Sequence, residues 1–454
     1  MPLGMKIDHS NRWVEKSELI PWDEIEQRYA DLFPSHKGNV AKPLRMALGA
    51  LLIQTQYGYS DEEIALQIQE TPCLQYFCGL TGYKDELPFD SSSMVHFRKR
   101  LTAEILGEIN EMIISKTIKN EKPPPDDGTG TTNKGTLIAD STCAPQNIKY
   151  PQDTSLLNEA REDLEKIIDR LHKPREGVKP RTYRIKARQD YLDIAKRKNK
   201  TSKQIRRAVG KQLRYIRRDI KIVEVFIKNG KELSKWDTER YEIIKALYEQ
   251  QLHMYENRVH TVENRIVSLG QPWVRPIVRG KAKDRCEFGA KLDISVADGF
   301  VRLEHTSFDA YNESGNLQHI IERYRERTGY YPERVLADKI YRNRDNLRFC
   351  KQNGIRLSGK PLGRPKREPG IDKKQEWRDQ VDRIEVERKI SHAKGSFGLG
   401  LIRAKLRETS KTAIALSIIS LNLAFIGRSL FNLFFQLLQK NQFSLRICIC
   451  AFIH

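Results

Sequence analysis

No two cysteines in the chain stand in a C-x-x-C spacing. The seven present (Cys73, Cys78, Cys143, Cys286, Cys350, Cys448, Cys450) are scattered and odd in number. That pattern indicates neither a disulfide framework nor a structural zinc site, and reduced thiols in a cytoplasm fit it. The N-terminal stretch MPLGMKIDHSNRWVEKSEL lacks the long apolar core of a secretion signal. Runs of membrane length are scarce too. The nearest, TAIALSIISLNLAFIG at 412–427, is interrupted by Ser417, Ser420 and Asn422 and is shorter than the ~20 residues a span needs. It reads as a helix buried in a core, so a soluble, cytoplasmic chain without a membrane partner is expected.

Acidic residues are in deficit. Against 80 Lys+Arg stand 59 Asp+Glu, a net charge of +21 with a pI near 9.5. A field of that sign attracts polyanions. The excess is concentrated. Residues 173–218 hold 18 Lys+Arg against three acidic residues (Glu176, Asp190, Asp193), with Tyr183, Tyr191 and Tyr215 interleaved. Leu192, Ile194, Ile205, Val209, Leu213 and Ile216 supply the apolar spacing of ordered helices. This composition suits a helical arm that follows a phosphate backbone. Arg206, Arg207, Arg214, Arg217 and Arg218 are its candidate DNA contacts.

At 454 residues the chain has room for two or three domains. Residues 1–119 read as an all-α, helix-turn-helix-like N-terminal domain. KPLRMALGALLIQTQYG is a helix closed by Gly58. Ser60 and Glu63 make a capping-box signature, and Arg98, Lys99 and Arg100 give a later helix a basic edge. A Pro/Gly/Thr-rich linker occupies 120–134. A short strand, GTLIADST, follows, and then the basic helical insertion over 153–269. The pattern becomes α/β over 270–440, with a hairpin turn at Asp298-Gly299, a helix ended by Gly329, a strand ERVLADKIY, a further strand GIRLSGK and a helix from about 374. Residues 441–454 read as an irregular tail.

Without the insertion, the order strand, strand, strand, helix, strand, strand, helix matches a mixed sheet of ribonuclease-H type. Asp140 and Asp338 each end an apolar strand (TLIAD, RVLAD), and Glu387 lies on the helix after the last strand. A carboxylate at the end of a buried strand is costly unless paired or bound to a metal. Three converging carboxylates can hold two divalent cations that activate a nucleophile and stabilise a leaving oxygen in phosphodiester displacement. Oxygen ligands favour Mg²⁺, with Mn²⁺ as substitute. Each residue also has a plain structural reading: Asp140 shaping a turn, Asp338 capping the following helix, Glu387 in a surface ion pair.

Around Glu387 the chain reads RIEVERKISHAKG, and Arg383, Glu387 and Lys394 stand at the spacings R-(3)-E-(6)-K. With DSTCAPQNIKYPQD after Asp140 and VLADKIYRNRDN around Asp338, the chain resembles the DDE transposases of bacterial insertion sequences, in the insertion sequence five (IS-five) group. Gln380 stands where that signature has tyrosine. The resemblance covers about residues 10–435. It implies a ribonuclease-H-like catalytic domain and an enzyme that cuts the inverted-repeat ends of its own element and joins the 3′-ends to target DNA. It further implies that Asp140, Asp338 and Glu387 are metal ligands, that Arg383 and Lys394 contact phosphates by the scissile bond, and that the protein works as a homodimer or higher assembly on double-stranded DNA. Arg388 and Lys389 read as ordinary surface charges. Two alternatives remain open at this stage: a nuclease of the same fold that does not join strands, and a catalytically inactive DNA-binding descendant.

Overall fold

The computed structural model describes residues 7–32, 42–119, 133–278, 286–360, 362 and 373–451, with backbone alone from 430 onward. The expected linker falls mostly on 120–132, which lie outside the described residues. The chain divides into two compact units. One comprises Met1–Pro145, Lys291–Ser307 and Tyr311–His454, and the other Gln146–Ala290 with Phe308–Ala310.

The first unit opens with helices α1 (Arg12–Leu19), α2 (Trp22–Arg28), α3 (Leu44–Tyr57), α4 (Asp61–Glu70), α5 (Pro72–Phe77), α6 (Ser93–Arg100) and α7 (Ala103–Lys119). Their ends follow local chemistry. Gly58 closes α3 at φ 71°, and the Ser60 hydroxyl accepts from Glu63 N at the start of α4. Strand β1 (Thr136–Pro145) comes next in this unit.

The second unit holds α8 (Asp153–Leu171), α9 (Arg184–Ala195), α10 (Ser202–Lys228), α11 (Lys235–Asn257) and β2 (Arg275–Val278). Val209, Leu213, Ile216, Ile220 and Val223 recur along one face of α10 and are buried with Leu157, Leu164, Ile168, Ile244 and Leu247. The basic run is therefore built on ordered helices. β2 pairs antiparallel with the start of β3 (Cys286–Ala297).

β3 continues into the first unit and turns back as β4 (Phe300–Ser307) through Asp298 and Gly299, both at positive φ, as the hairpin signal predicts. Then follow α12 (Leu317–Thr328), ended by Gly329 at φ 84°, β5 (Arg334–Ala337), α13 (Arg344–Gln352), β6 (Arg356–Leu357), α14 (Lys373–Ser396) and α15 (Arg407–Ala451). Strand neighbours run β2-β3-β1-β5-β6, with β4 on β3. β3–β4 is antiparallel, whereas β1–β5 and β5–β6 are parallel. Setting β2 aside, this is a mixed sheet of the kind expected from the sequence. α13 and β2 are additions that the sequence reading did not assign, and α15 runs on to Ala451 where an irregular tail had been expected.

The segment from Arg407 to Ser429 is long and apolar enough to cross a membrane, yet most of it is buried within the protein. Leu416, Ile419, Leu423 and Ile426 share one core with Trp13, Leu48, Leu51, Phe97 and Ile109 from the N-terminal helices. Each such fully buried aliphatic side chain contributes roughly 1.5–3 kcal/mol. The N-terminal helices thus complete their core with a helix some 300 residues downstream, as Thr412 bonding to Leu101 across a separation of 311 also shows.

Candidate active site

Ile138↔Leu336 and Ala139↔Ala337 are register partners on parallel β1 and β5, so Asp140 and Asp338 follow side by side at the next position. Neighbouring strands lie about 4.8 Å apart. Asp338 follows the last residue of β5, as expected, whereas β1 runs on to Pro145, so Asp140 lies within its strand and not at the end that TLIAD suggested. Asp140 is half-buried and Asp338 exposed. Each turns one oxygen to the next backbone N–H: Asp140 Oδ1 accepts from Ser141 N at 2.8 Å and Asp338 Oδ1 from Lys339 N at 2.7 Å. The segment after β5 is fixed by Ala337 N donating to Ser358 Oγ at 3.2 Å and by Arg342 donating to the Leu357 and Ser358 carbonyls.

Behind this pair lies a buried phenol, Tyr341. Burial pushes its pKa far up, reinforced by the charges of Asp293, Asp140, Glu313 and Asp338. One side chain thus sits within electrostatic reach of four carboxylates. Asp293, wholly buried on β3, was not singled out in the sequence, because KLDISV reads as an ordinary strand. Its Oδ2 accepts from Asn316 at 2.6 Å. Burial raises its pKa against the opposing pull of Asn316, Tyr311, His305 and Lys291. It also lies at the β3–β4 register shift, a bulge of the sort that clusters near active sites. Lys291 bonds Glu313 and, at 2.7 Å, the Tyr311 carbonyl.

Glu387 projects from α14, a helix packed against both β1 and β5. The helix is fastened to the strands through Asp379, which accepts from Arg334 at 3.2 Å and Arg356 at 2.5 Å, and through an Arg334–Asp382 pair at 2.7 Å. Glu387 itself is 55% exposed and pairs with Arg383 at 3.3 Å, one turn earlier. Lys389 is a correction to the surface-charge reading. It is 6% exposed, sits 3.5 Å from the centroid of the Phe425 ring and pairs with Glu385 at 3.5 Å. Lys394 is half-buried near the end of the same helix.

The other candidate DNA contacts differ in how far their charge is already engaged. Arg98 is committed to Asp61 and Gln54. Arg206 stacks 4.2 Å over Tyr255, Arg218 lies 4.4 Å over Tyr183, and Arg217 donates to Tyr248. Lys99, Arg207 and Arg214 are exposed, and Arg100 is half-buried.

Residues 335–424, which include Asp338, Glu387 and Lys394, match the family model described as Transposase DDE domain. This stretch is similar to a DDE transposase domain. Residues 2–100 match a second model, Transposase domain (DUF772). The chain is also 27% identical over 187 residues to a Rhizobium meliloti protein named "Uncharacterized protein ORF8 in nfe locus", covering 40% of this chain and 80% of that one. No solved structure matches. Asp140 and the helical unit lie outside both matched segments.

The family matched over 335–424 implies divalent-metal chemistry. Asp140, midway along β1, and Asp338, just past the end of β5, fit that role as oxygen ligands at neighbouring positions of parallel strands. Among the described residues, however, no three His, Cys, Asp or Glu side chains stand close enough to hold one ion. Glu387 is on the right helix, with its carboxylate turned to Arg383.

Proposed function

We propose that the protein is a transposase that binds the inverted-repeat ends of its own insertion sequence, cleaves there and transfers the 3′-ends to target DNA. The side-by-side placement of Asp140 and Asp338 on parallel strands, within a chain similar to a DDE transposase domain over 335–424, carries this reading. Asp140, Asp338 and Glu387 would hold two Mg²⁺ ions, or Mn²⁺ in their place. Such ions, when bound, would supply activation of a water or 3′-hydroxyl and charge stabilisation at the leaving oxygen. Glu387 reaches the aspartates by leaving Arg383, whose guanidinium is then free for a DNA phosphate together with Lys394. That exchange explains why a carboxylate stands among cations: in the absence of DNA the pair neutralises itself on an exposed helix face.

The protein acts in the cytoplasm as a homodimer or higher assembly that holds two ends of double-stranded DNA. The test is incubation of the protein and Mg²⁺ with labelled end DNA and a plasmid target. Joined products that require a 3′-hydroxyl support transposition. Cleaved ends without joined products support a nuclease of the same fold.

A further inference from the structure

Basic groups gather at a second place in the first unit, away from the strand ends. A cavity of about 330 Å³ lies among α1, α14 and α15, lined by Arg12, Glu15 and Lys16 from α1, His392 from α14 and Leu423 and Arg428 from α15. None of these charged groups is joined to another by an ion pair among the described residues. Neutral partners hold three of the cations instead. Arg12 donates to the Tyr57 hydroxyl, Lys16 to Gln56, and Arg428 Nη2 meets His392 Nδ1 at 3.1 Å.

The crowding has an electrostatic signature. Burial, then the nearby Arg12, push the Lys16 ammonium down to about 8. Burial, then Arg428 and Lys389, lower the His392 imidazole. Like charges brought together with a single carboxylate beside them form a site short of an anion. Two guanidiniums suit phosphate oxygens better than any compact ion.

We propose that this cavity is an anion subsite that seats a backbone phosphate of the bound DNA, so that α14 addresses the strand twice. His392 lies five residues beyond Glu387, about 7.5 Å along the helix axis and about 140° around it, so the two side chains leave α14 on different faces. One helix therefore offers a ligand to the metal site and, further along, one wall of a phosphate seat. The inference rests on the DNA-binding reading above and supplies it with a contact outside the DDE signature.

The experiment is a salt titration of affinity for a labelled duplex carrying an element end, read by anisotropy, for wild type, Arg428→Gln, Lys16→Gln and the control Arg348→Gln. Arg348 is 70% exposed on α13 and far from the cavity in sequence. Loss of one phosphate contact lowers the slope of log K against log salt by about 0.9 and weakens binding several-fold, equally for specific and unrelated sequences. Arg428 is exposed, so its variant is expected to fold as wild type does, and a thermal melt of each variant checks this.

The result that overturns the proposal is a slope and an affinity unchanged in both cavity variants, as in the control. Inorganic phosphate is the second probe, scored by thermal shift. A shift that depends on Arg428 and Lys16 without any change in the DNA slope assigns the cavity to a free anion and removes the DNA assignment. A wild type that binds no duplex at physiological salt contradicts the transposase reading itself, a failure distinct from one confined to the variants.

Discussion

Replacing Asn422 with leucine tests how the sheet and the long C-terminal helix are joined. Asn422 is wholly buried on α15. Its Nδ2 donates to the Val301 carbonyl at 2.8 Å and to Asn110 Oδ1 at 2.9 Å, and its Oδ1 accepts from Val301 N at 2.9 Å. One side-chain amide therefore pairs with both backbone groups of Val301 on β4, as a further strand would, and covers that strand's outer edge. In the leucine variant, Val301 keeps a donor for its carbonyl, Asn110 Nδ2 at 3.3 Å. Its N–H and Asn110 Oδ1 are left without partners. Each buried unpaired group costs about 1–3 kcal/mol, and the added apolar burial returns about 1 kcal/mol. The net loss expected is about 1–5 kcal/mol, read as a fall in the urea midpoint at constant m-value, with fluorescence from Trp13 and Trp22 in the same core. A variant within about 0.5 kcal/mol of wild type, the scatter of ordinary surface changes, refutes the edge-cover account.

Other expectations concern single positions. At Gly299, φ is 77° and a Cβ would stand 2.2 Å from the tip of the Phe425 ring. Gly299→Ala is expected to cost about 1–3 kcal/mol in the same urea assay, and an unchanged midpoint would show that the turn and the ring yield freely. In the helical unit, burial, then Glu165, push the Asp219 carboxyl up to about 8 against the pull of Arg161, Arg218 and Arg184. A folded pKa raised above the unfolded value gives stability that is complete below about pH 4 and is lost as pH rises towards 8. The slope is at most about 1.4 kcal/mol per pH unit. Asp219→Asn should flatten that decline in thermal melts across pH 5–8, and an equally steep decline would contradict the assignment. Arg383→Gln should weaken DNA binding and leave the thermal midpoint within about a degree, since an i,i+4 pair this open to solvent on one side is worth only a few tenths of a kcal/mol. A large loss of stability would instead make the pair structural.

Much of the local architecture was legible in the residues. Asp298-Gly299 gave the hairpin, Gly58 and Gly329 the helix ends, and TLIAD and RVLAD two strands whose aspartates the parallel register sets side by side. These signals are short-range, written within a few residues of where they act. Long-range packing was not legible in the same way. Nothing in TAIALSIISLNLAFIG says that its apolar face fills the core of helices at the other end of the chain, or that Asn422 serves a strand edge rather than merely interrupting a hydrophobic run. Asp293 escaped notice because a charged residue inside a strand pattern looks solvent-facing until the neighbouring elements close over it. Lys389 was misread for the complementary reason. In a helix rich in charge, nothing marks which cation turns inward, and its aliphatic stem against Phe425 makes the burial tolerable. Arg98, Arg206 and Arg218 showed as a basic pattern, but their partners Asp61, Tyr255 and Tyr183 are distant in sequence and became visible only in the fold.

The central claim is that Asp140, Asp338 and Glu387 act as one metal-binding set on DNA. The most direct measurement is nicking of labelled DNA bearing the gene's flanking ends, with Mg²⁺ and then Mn²⁺, by wild type, Asp140→Asn, Asp338→Asn and Glu387→Gln, with duplex binding measured in parallel. The account predicts end-specific nicking by wild type alone, with binding retained in all four proteins. Nicking that survives Glu387→Gln, or binding without nicking in every protein including wild type, would contradict it.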